Sequence, residues 1–92
     1  MTILQRKFRL GNIYATPGVL TAIPNDEVIA ALARHQSGDW GDVDAEDKQE
    51  NEYSLGSRLR LLSAYRSQTG AKFWIITEAD RSATTVLLPS EY

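Results

Sequence analysis

The stretch that decides the fold is Arg58 to Tyr92, RLRLLSAYRSQTGAKFWIITEADRSATTVLLPSEY. It holds three runs rich in β-branched and aromatic residues, separated by turn-forming segments at 68–70 and 79–82. The sequence therefore predicts a three-stranded antiparallel meander over this stretch. Its middle run is apolar on both faces as far as Thr77, which indicates a central strand with Ile75 fully buried.

The residues before this meander predict one strand and a set of helices. Phe8 to Ala15 alternates like a strand, with a bend at Gly11-Asn12 where the alternation changes phase. Capping and breaking residues predict three helices, bounded by Thr16 and Pro24, by Asn25 and Gly38, and by Asp44 and Gly56. The fold class expected is α+β in a single domain, 1–92: a short N-terminal strand, two to three helices, then the antiparallel meander.

The predicted helices differ in character. The second has one apolar stripe at helical spacing, made of Val28, Ile29, Leu32 and Ala33. The third is polar nearly all round, and only Tyr53 and Leu55 are expected to be buried. Its caps include Asp47 in a capping-box-like position after Asp44.

Composition restricts the classes of function. Of the 92 residues 42% are hydrophobic and 24% charged, which are ordinary globular values, and the net charge is −2. A sequence pI near 5.3 disfavours a nucleic-acid-binding protein. The absence of cysteine excludes disulfides and thiolate metal sites. With no signal-peptide pattern and no membrane-length apolar run, a cytoplasmic location is expected.

Charge is unevenly distributed along the chain. Residues 39–52 hold seven carboxylates against one lysine, whereas 58–72 holds Arg58, Arg60, Arg66 and Lys72. Separate acidic and basic surfaces suit binding to a protein partner, and they are compatible with a homodimer.

Several motifs resemble a family of small bacterial proteins carried by plasmids and other mobile elements. The matching segments are HQSGDWGD at 35–42, ENE at 50–52, RLLSAYR at 60–66, WIITEADRS at 74–82, and TT and LLP at 84–85 and 87–89. Members are usually described as plasmid-related, and some as type I restriction subunit M, although a methyltransferase domain does not fit in 92 residues. The resemblance implies a mobile-element setting and no established activity.

The loop Asp39-Trp40-Gly41-Asp42 is the most unusual segment. In one interpretation, Trp40 fills the core from the loop while Asp39 and Asp42 form Asx turns. In another, Trp40 is partly exposed and anchors a protein partner. The spacing of its carboxylates departs from a calcium-binding loop, so no metal site is predicted.

The second turn of the meander carries Glu78, Asp80 and Arg81. Structurally, Asp80 would cap the turn and Arg81 would pair with Glu78. Catalytically, Glu78 and Arg81 with His35 and Arg66 supply the residue types of a metal-independent ribonuclease of the barnase or RelE-like toxin type. His35, the only histidine, would alternatively interact with the carbonyls at its helix terminus.

These observations favour a non-enzymatic protein-interaction module, needing no cofactor and binding a host or plasmid-encoded protein. The residues expected to bind are Trp40, Asp39, Asp42, Asp80 and Arg81. The ribonuclease, with His35, Glu78, Arg81 and Arg66 as its catalytic residues, is the alternative.

Overall fold

The computed structural model describes residues 5–92. Its elements are β1 (Asn12–Ala15), α1 (Pro17–Ala22), α2 (Asn25–Gln36), α3 (Ala45–Ser57), β2 (Leu61–Arg66), β3 (Lys72–Thr77), β4 (Ala83–Leu87) and a 3-10 turn at Pro89–Glu91. The predicted α+β class is confirmed. Among residues 5–92, no helix has the length and apolarity needed to span a bilayer.

The sheet has four strands in the order β1-β4-β3-β2. β2, β3 and β4 form the predicted antiparallel meander. β1 adds to the edge of β4 in parallel, with Asn12 aligned to Ala83, so the sheet is mixed. The alternation of residues in β1 does not encode this parallel pairing, because the chain between β1 and β4 contains all the helices and two other strands.

One face of the sheet carries the main core, and we call it the inner face. The core cluster joins residues of α1, of α2 and of the segment between them to inward-pointing residues of the strands; it comprises Val19, Ile23, Val28, Ala31, Tyr65, Phe73, Ile75 and Val86. Ile75 has no exposed surface, which confirms its predicted place in the central strand. The alternation of side chains along each strand brings these residues to one face.

The first two helices follow most of the sequence signals. The Thr16 hydroxyl accepts a hydrogen bond from the N–H of Val19, as predicted for a cap. In α2 the predicted cap is wrong by one residue: Asn25 is the first helical residue and Pro24 precedes it without a side-chain bond. The apolar stripe is also rotated, because Ile29 is exposed while His35 turns towards the sheet.

The third helix begins as predicted, with the Asp44 carboxylate accepting from the N–H of Asp47 at 2.8 Å. It continues past Gly56 to Ser57 and ends with Arg58 in the left-handed conformation. The prediction that Tyr53 would be buried is wrong, since its ring is largely exposed.

The buried residues of α3 are Asn51 and Ser54. Leu55 is half-buried. A polar face is buried here because it bonds to backbone: Ser54 donates to the carbonyl of Glu50, and the amide of Asn51 binds the edge strand β2.

The N-terminal strand is shorter than predicted and begins at Asn12. The predicted bend is confirmed at Gly11, whose φ is +66° and where a Cβ would clash with the backbone carbonyl of Ser82. Ahead of the bend, the Phe8 ring packs edge-on against His35, with ring centroids 5.1 Å apart. Phe8 therefore serves the core and takes no part in the ladder.

Candidate functional site

His35 lies at the centre of a buried chain of hydroxyl groups. Its Nδ1 is 2.5 Å from the Ser63 hydroxyl on β2, and its Nε2 is 2.8 Å from the Thr77 hydroxyl on β3. The Thr77 hydroxyl lies 2.8 Å from that of Thr84 on β4, which donates to the Leu10 carbonyl at 2.7 Å. This chain of hydrogen bonds therefore links α2 to three strands and to the segment before β1.

The direction of this chain determines the histidine tautomer. Each hydroxyl has one proton to donate. Thr84 uses its proton on the Leu10 carbonyl, so Thr77 donates to Thr84 and accepts from His35 Nε2–H. Nδ1 then accepts from Ser63. His35 is accordingly neutral, protonated on Nε2.

The surroundings of His35 oppose its protonation. Burial, with a smaller contribution from the positive charge of Arg81, lowers its pKa to about 3. With 0% of the residue exposed, the ring has no contact with solvent. The prediction that His35 bonds the carbonyls at the helix terminus is wrong, because both ring nitrogens face hydroxyl groups. Its geometry is that of a core residue.

The turn at Glu78, Asp80 and Arg81 is built differently from the predicted ion pair. The Arg81 guanidinium donates to four backbone carbonyls, those of Ser54, Leu59, Glu78 and Ala79. The carboxylate of Glu78 instead lies 3.4 Å from Arg60. Asp80 accepts from the N–H of Ser82 at 3.0 Å, which confirms its predicted capping role. A hydrogen bond from Ser82 also lowers the pKa of Asp80.

The structure does not bring the four residues of the ribonuclease hypothesis together. Arg66 pairs with Lys72 at one end of the β2–β3 ladder, whereas Glu78 follows Thr77 at the other end. At roughly 3.3 Å per residue, about five residues of strand separate the two ends by about 16 Å. His35 lies in the core, and the Arg81 guanidinium is bonded to backbone carbonyls. An acid, a base and a phosphate-binding arginine therefore do not converge on one site.

The loop Asp39-Trp40-Gly41-Asp42, which we call the acidic loop, contributes a side chain to the core and backbone groups to the β2 edge of the sheet. Trp40 is 4% exposed, and its indole N–H donates to Glu52 at 2.8 Å. The interpretation in which Trp40 fills the core is thus confirmed, and the exposed anchor is wrong. Asp39 accepts from the Gly41 N–H at 3.3 Å, forming the predicted Asx turn, and pairs with Arg34 at 2.7 Å, which lowers the pKa of Asp39. The Asx turn predicted at Asp42 is not formed, because this residue instead donates its backbone N–H to the Ala64 carbonyl of β2.

The outer edge of β2 is covered by side-chain and loop contacts. Asn51 donates to the Leu62 carbonyl at 2.7 Å and accepts from the Leu62 N–H at 3.0 Å. Two residues on, Ala64 donates to the Trp40 carbonyl at 3.1 Å and accepts from Asp42 at 2.7 Å. These bonds satisfy the outward backbone groups of both strand residues, which blocks this edge against pairing with another chain.

A basic pocket of about 890 Å³ lies where the N-terminal segment meets the second turn of the meander. The charged residues lining it are Lys7, Arg9, Arg58, Arg81 and Asp80. Four of the ten basic residues of the chain thus face one pocket, with a single carboxylate. Of the predicted binding residues, the pocket includes Asp80 and Arg81, and it excludes the three from the acidic loop.

The cations of this pocket are not neutralised by carboxylates within the described chain. The two ion pairs between residues 5 and 92 are Arg34–Asp39 and Arg60–Glu78, and both lie elsewhere. Burial and the neighbouring charge of Arg58 lower the pKa of Arg81, which indicates that two guanidinium groups share the pocket. Two like charges held close together favour an anionic ligand.

Sequence reasoning missed three of the four cations. Lys7 and Arg9 are distant from Arg58 in sequence, and only the parallel placement of β1 beside β4 brings their segment to this turn. No local motif could have indicated that these side chains share a pocket.

A metal ion would need a different arrangement of side chains. Hard cations are bound by several carboxylate or carbonyl oxygens that converge on one point. Within residues 5–92, no three His, Cys, Asp or Glu side chains are placed together to hold an ion.

Comparison with known proteins finds no match to any protein-family model, curated protein or solved structure.

Proposed function

We propose that the protein is an interaction module that binds an acidic segment of a partner protein in the basic pocket. The observation that carries the proposal is the gathering of Lys7, Arg9, Arg58 and Arg81 around one pocket without a paired carboxylate. An incoming Asp or Glu side chain would neutralise charges that now oppose one another. Guanidinium groups bind carboxylates with directed, charge-assisted hydrogen bonds.

The arginines of the pocket have different roles in this proposal. The Arg81 guanidinium donates to four carbonyls, so it supplies a fixed positive charge and forms a rigid wall of the pocket. Arg58 and Arg9 are exposed and supply donors to the ligand. The Phe8 ring, 5.7 Å from the Arg81 guanidinium carbon, gives the pocket an apolar side. A partner segment that combines a carboxylate with a neighbouring apolar side chain suits these surfaces.

A protein ligand fits the charges better than a nucleic acid. The net charge of the chain is −2, and α3, which contributes Leu55 to the pocket, carries Glu46, Asp47, Glu50 and Glu52. A polyanion following a phosphate backbone would approach this acidic helix, which repels it. A short acidic segment places its charge in the pocket alone.

The mobile-element setting and the cytoplasmic location are part of the proposal and rest on the sequence. The resemblance of the segments at 35–42 and 74–82 to plasmid-carried proteins supports the former, and the absence of cysteine supports the latter. In that setting, the partner is a host or plasmid-encoded protein with an exposed acidic segment.

Fluorescence anisotropy with a labelled peptide tests the proposal directly. The probe is a twelve-residue peptide of Asp and Glu with interspersed Leu, and the control is the same peptide with Asn and Gln. We expect saturable binding of the acidic peptide that weakens at least tenfold between about 50 and 300 mM salt, because the contact is electrostatic. Failure of the acidic peptide to bind at millimolar concentration would contradict the proposal.

Matched variants locate the binding. Arg9→Ala combined with Arg58→Gly removes two pocket cations, and we expect it to weaken peptide binding at least tenfold. Arg66→Ala removes one exposed cation at the opposite end of the sheet and should change the affinity less than twofold. If a single-stranded RNA of equal charge binds more tightly than the peptide, and binding responds to the same variants, the pocket is a nucleic-acid site instead.

A further inference from the structure

The two edges of the sheet differ in how their backbone groups are satisfied. At the β2 edge, Leu62 and Ala64 are bonded by Asn51 and by the loop through Trp40 and Asp42. At the β1 edge, no strand of the described residues pairs beyond Asn12–Ala15. Unpaired strand edges are templates for pairing with another chain. One edge is therefore blocked and the other is open.

The open edge directs specific groups outwards. Asn12 and Thr16 donate their N–H groups to Ser82 and Val86 of the β4 side, each at 3.0 Å. Because successive residues of a strand point their backbone groups to opposite sides, Tyr14 also faces β4. The N–H and C=O groups of Ile13 and Ala15 then point away from the sheet.

The side chains of this edge are uncharged, and two of them are large, hydrophobic and exposed. Ile13 is 51% exposed and Tyr14 is 54% exposed. The strand Asn12-Ile13-Tyr14-Ala15 contains no charged residue, proline or internal bulge, the devices that protect other edges. Two copies of this edge can approach one another without repulsion between like charges.

We infer that β1 is a self-association edge at which a second copy of the chain pairs antiparallel to form a two-fold symmetric dimer. A two-fold axis at Tyr14 aligns Ile13 of each copy with Ala15 of the other. The backbone N–H and C=O groups of both residues point away from the sheet, so each aligned pair exchanges two backbone hydrogen bonds. The two pairs together form about four hydrogen bonds. The two Tyr14 side chains then lie opposite one another on the same face.

The uncharged, self-complementary edge favours a second copy over an acidic partner segment, which the basic pocket fits better. The pairing joins the two four-stranded sheets into one continuous sheet, with the helices of both copies on the same side. Two such short strands bury little surface, so the dimer interface should be smaller than about 1,200 Å², at the low end of protein–protein interfaces. We therefore expect a weak dimer. It does not depend on the proposed pocket, whose exposed cations lie outside β1.

Disulfide trapping tests the predicted register, because the chain contains no cysteine. In this register the Tyr14 residues of the two copies form a non-hydrogen-bonded antiparallel pair. The Cα atoms of such a pair are about 4.5 Å apart, a separation that a disulfide can bridge. We expect Tyr14→Cys to form a covalent dimer under mild oxidation, at least tenfold faster than Leu20→Cys or Tyr53→Cys. Those two controls replace exposed residues on helices. The register control Asn12→Cys should also cross-link slowly, since its two copies would be four residues apart.

Sedimentation equilibrium of the cysteine-free protein provides the second measurement. We expect a concentration-dependent dimer that Ile13→Pro abolishes while leaving the far-UV spectrum and melting temperature close to wild type. Proline removes an outward N–H at this position and leaves the bonds to β4 intact. A wild type that stays monomeric up to millimolar concentration, together with Tyr14→Cys cross-linking no faster than the helix controls, would overturn the inference. Faster trapping through Ile13→Cys would overturn the register.

Discussion

His35 Nε2 lies 2.8 Å from the Thr77 hydroxyl, and this contact joins the second helix to the central strand inside the core. A histidine that is neutral and bonded through both nitrogens is a structural residue whose charge state is set by its surroundings. Since every described buried side-chain N or O atom has a partner, the polar core is fully satisfied. That arrangement makes the fold sensitive to acid and to loss of single hydroxyl groups.

The first prediction concerns acid stability. The folded-state pKa of His35 is about 3, whereas an unfolded histidine has a pKa near 6.5. Below pH 6.5 the unfolded chain therefore binds a proton that the native chain does not. The free energy of unfolding should be highest above that pH and should fall towards pH 3, by on the order of 4–5 kcal/mol from this residue.

Urea denaturation at pH 7, 5.5 and 4.5 measures this effect, with His35→Gln as the variant that cannot titrate. The carboxylates titrate in both proteins, so the difference between the two pH profiles isolates the histidine. Equal pH dependence in wild type and His35→Gln would show that the native state binds a proton at His35 as readily as the unfolded chain does, which would contradict the lowered pKa.

The second prediction concerns the direction of the hydroxyl chain. Thr77→Val removes the acceptor of His35 Nε2–H and should cost about 1–3 kcal/mol, because a buried donor is left unpaired. Thr77→Ser keeps the hydroxyl and should preserve the Nε2–H tautomer, which nitrogen chemical shifts of the imidazole report directly. A wild-type spectrum with the proton on Nδ1 would contradict the proposed direction.

The third prediction concerns the blocked edge of the sheet. Asn51→Ala leaves the N–H and C=O of Leu62 without their partner, at a cost of about 1–3 kcal/mol. Opening β2 should also increase aggregation on gentle heating, which light scattering detects. Gln49→Ala, at an exposed position of the same helix, is the control and should alter neither stability nor scattering.

The sequence predicts the meander well because its signals are local. Apolar runs, the turn residues and the caps at Thr16 and Asp44 act over a few residues, and the structure confirms them. The buried faces of the helices were harder to predict, since α3 buries Asn51 for its bonds to a distant strand while it exposes Tyr53. Hydrophobicity does not reveal a polar residue that acts as a strand partner.

The candidate site was less predictable than the fold. Its cations come from the N-terminal segment and from two turns, and contacts between parts of the chain far apart in sequence place them together. The sequence did contain a signal for the chain of hydroxyl groups around His35, because Ser63 and Thr77 interrupt the apolar inner faces of β2 and β3. Buried hydroxyls on adjacent strands indicate a shared polar partner, which the only histidine supplies.

The fourth prediction tests the central strand. Ile75 is fully buried between Val86 and Ser63 in the sheet register. Ile75→Ala should lower the free energy of unfolding by about 2–5 kcal/mol, through lost burial and the cavity left behind. Ile29→Ala is the matched control, because Ile29 is exposed on α2 and should cost less than about 1 kcal/mol. Similar losses at both positions, measured by urea denaturation, would contradict the placement of β3.

The fifth prediction compares two arginines that share a backbone conformation. Arg58 and Arg81 have φ values of 56° and 61°, in the region that glycine adopts without strain. Arg81→Gly relieves that strain and also removes the bonds to four carbonyls, so we expect a net loss of about 1–3 kcal/mol. Arg58→Gly relieves the strain and the repulsion from Arg81, so the free energy of unfolding should stay level or rise by up to about 1 kcal/mol. Urea denaturation of both variants decides the point, and a larger loss from Arg58→Gly than from Arg81→Gly would reverse the roles assigned to the two side chains.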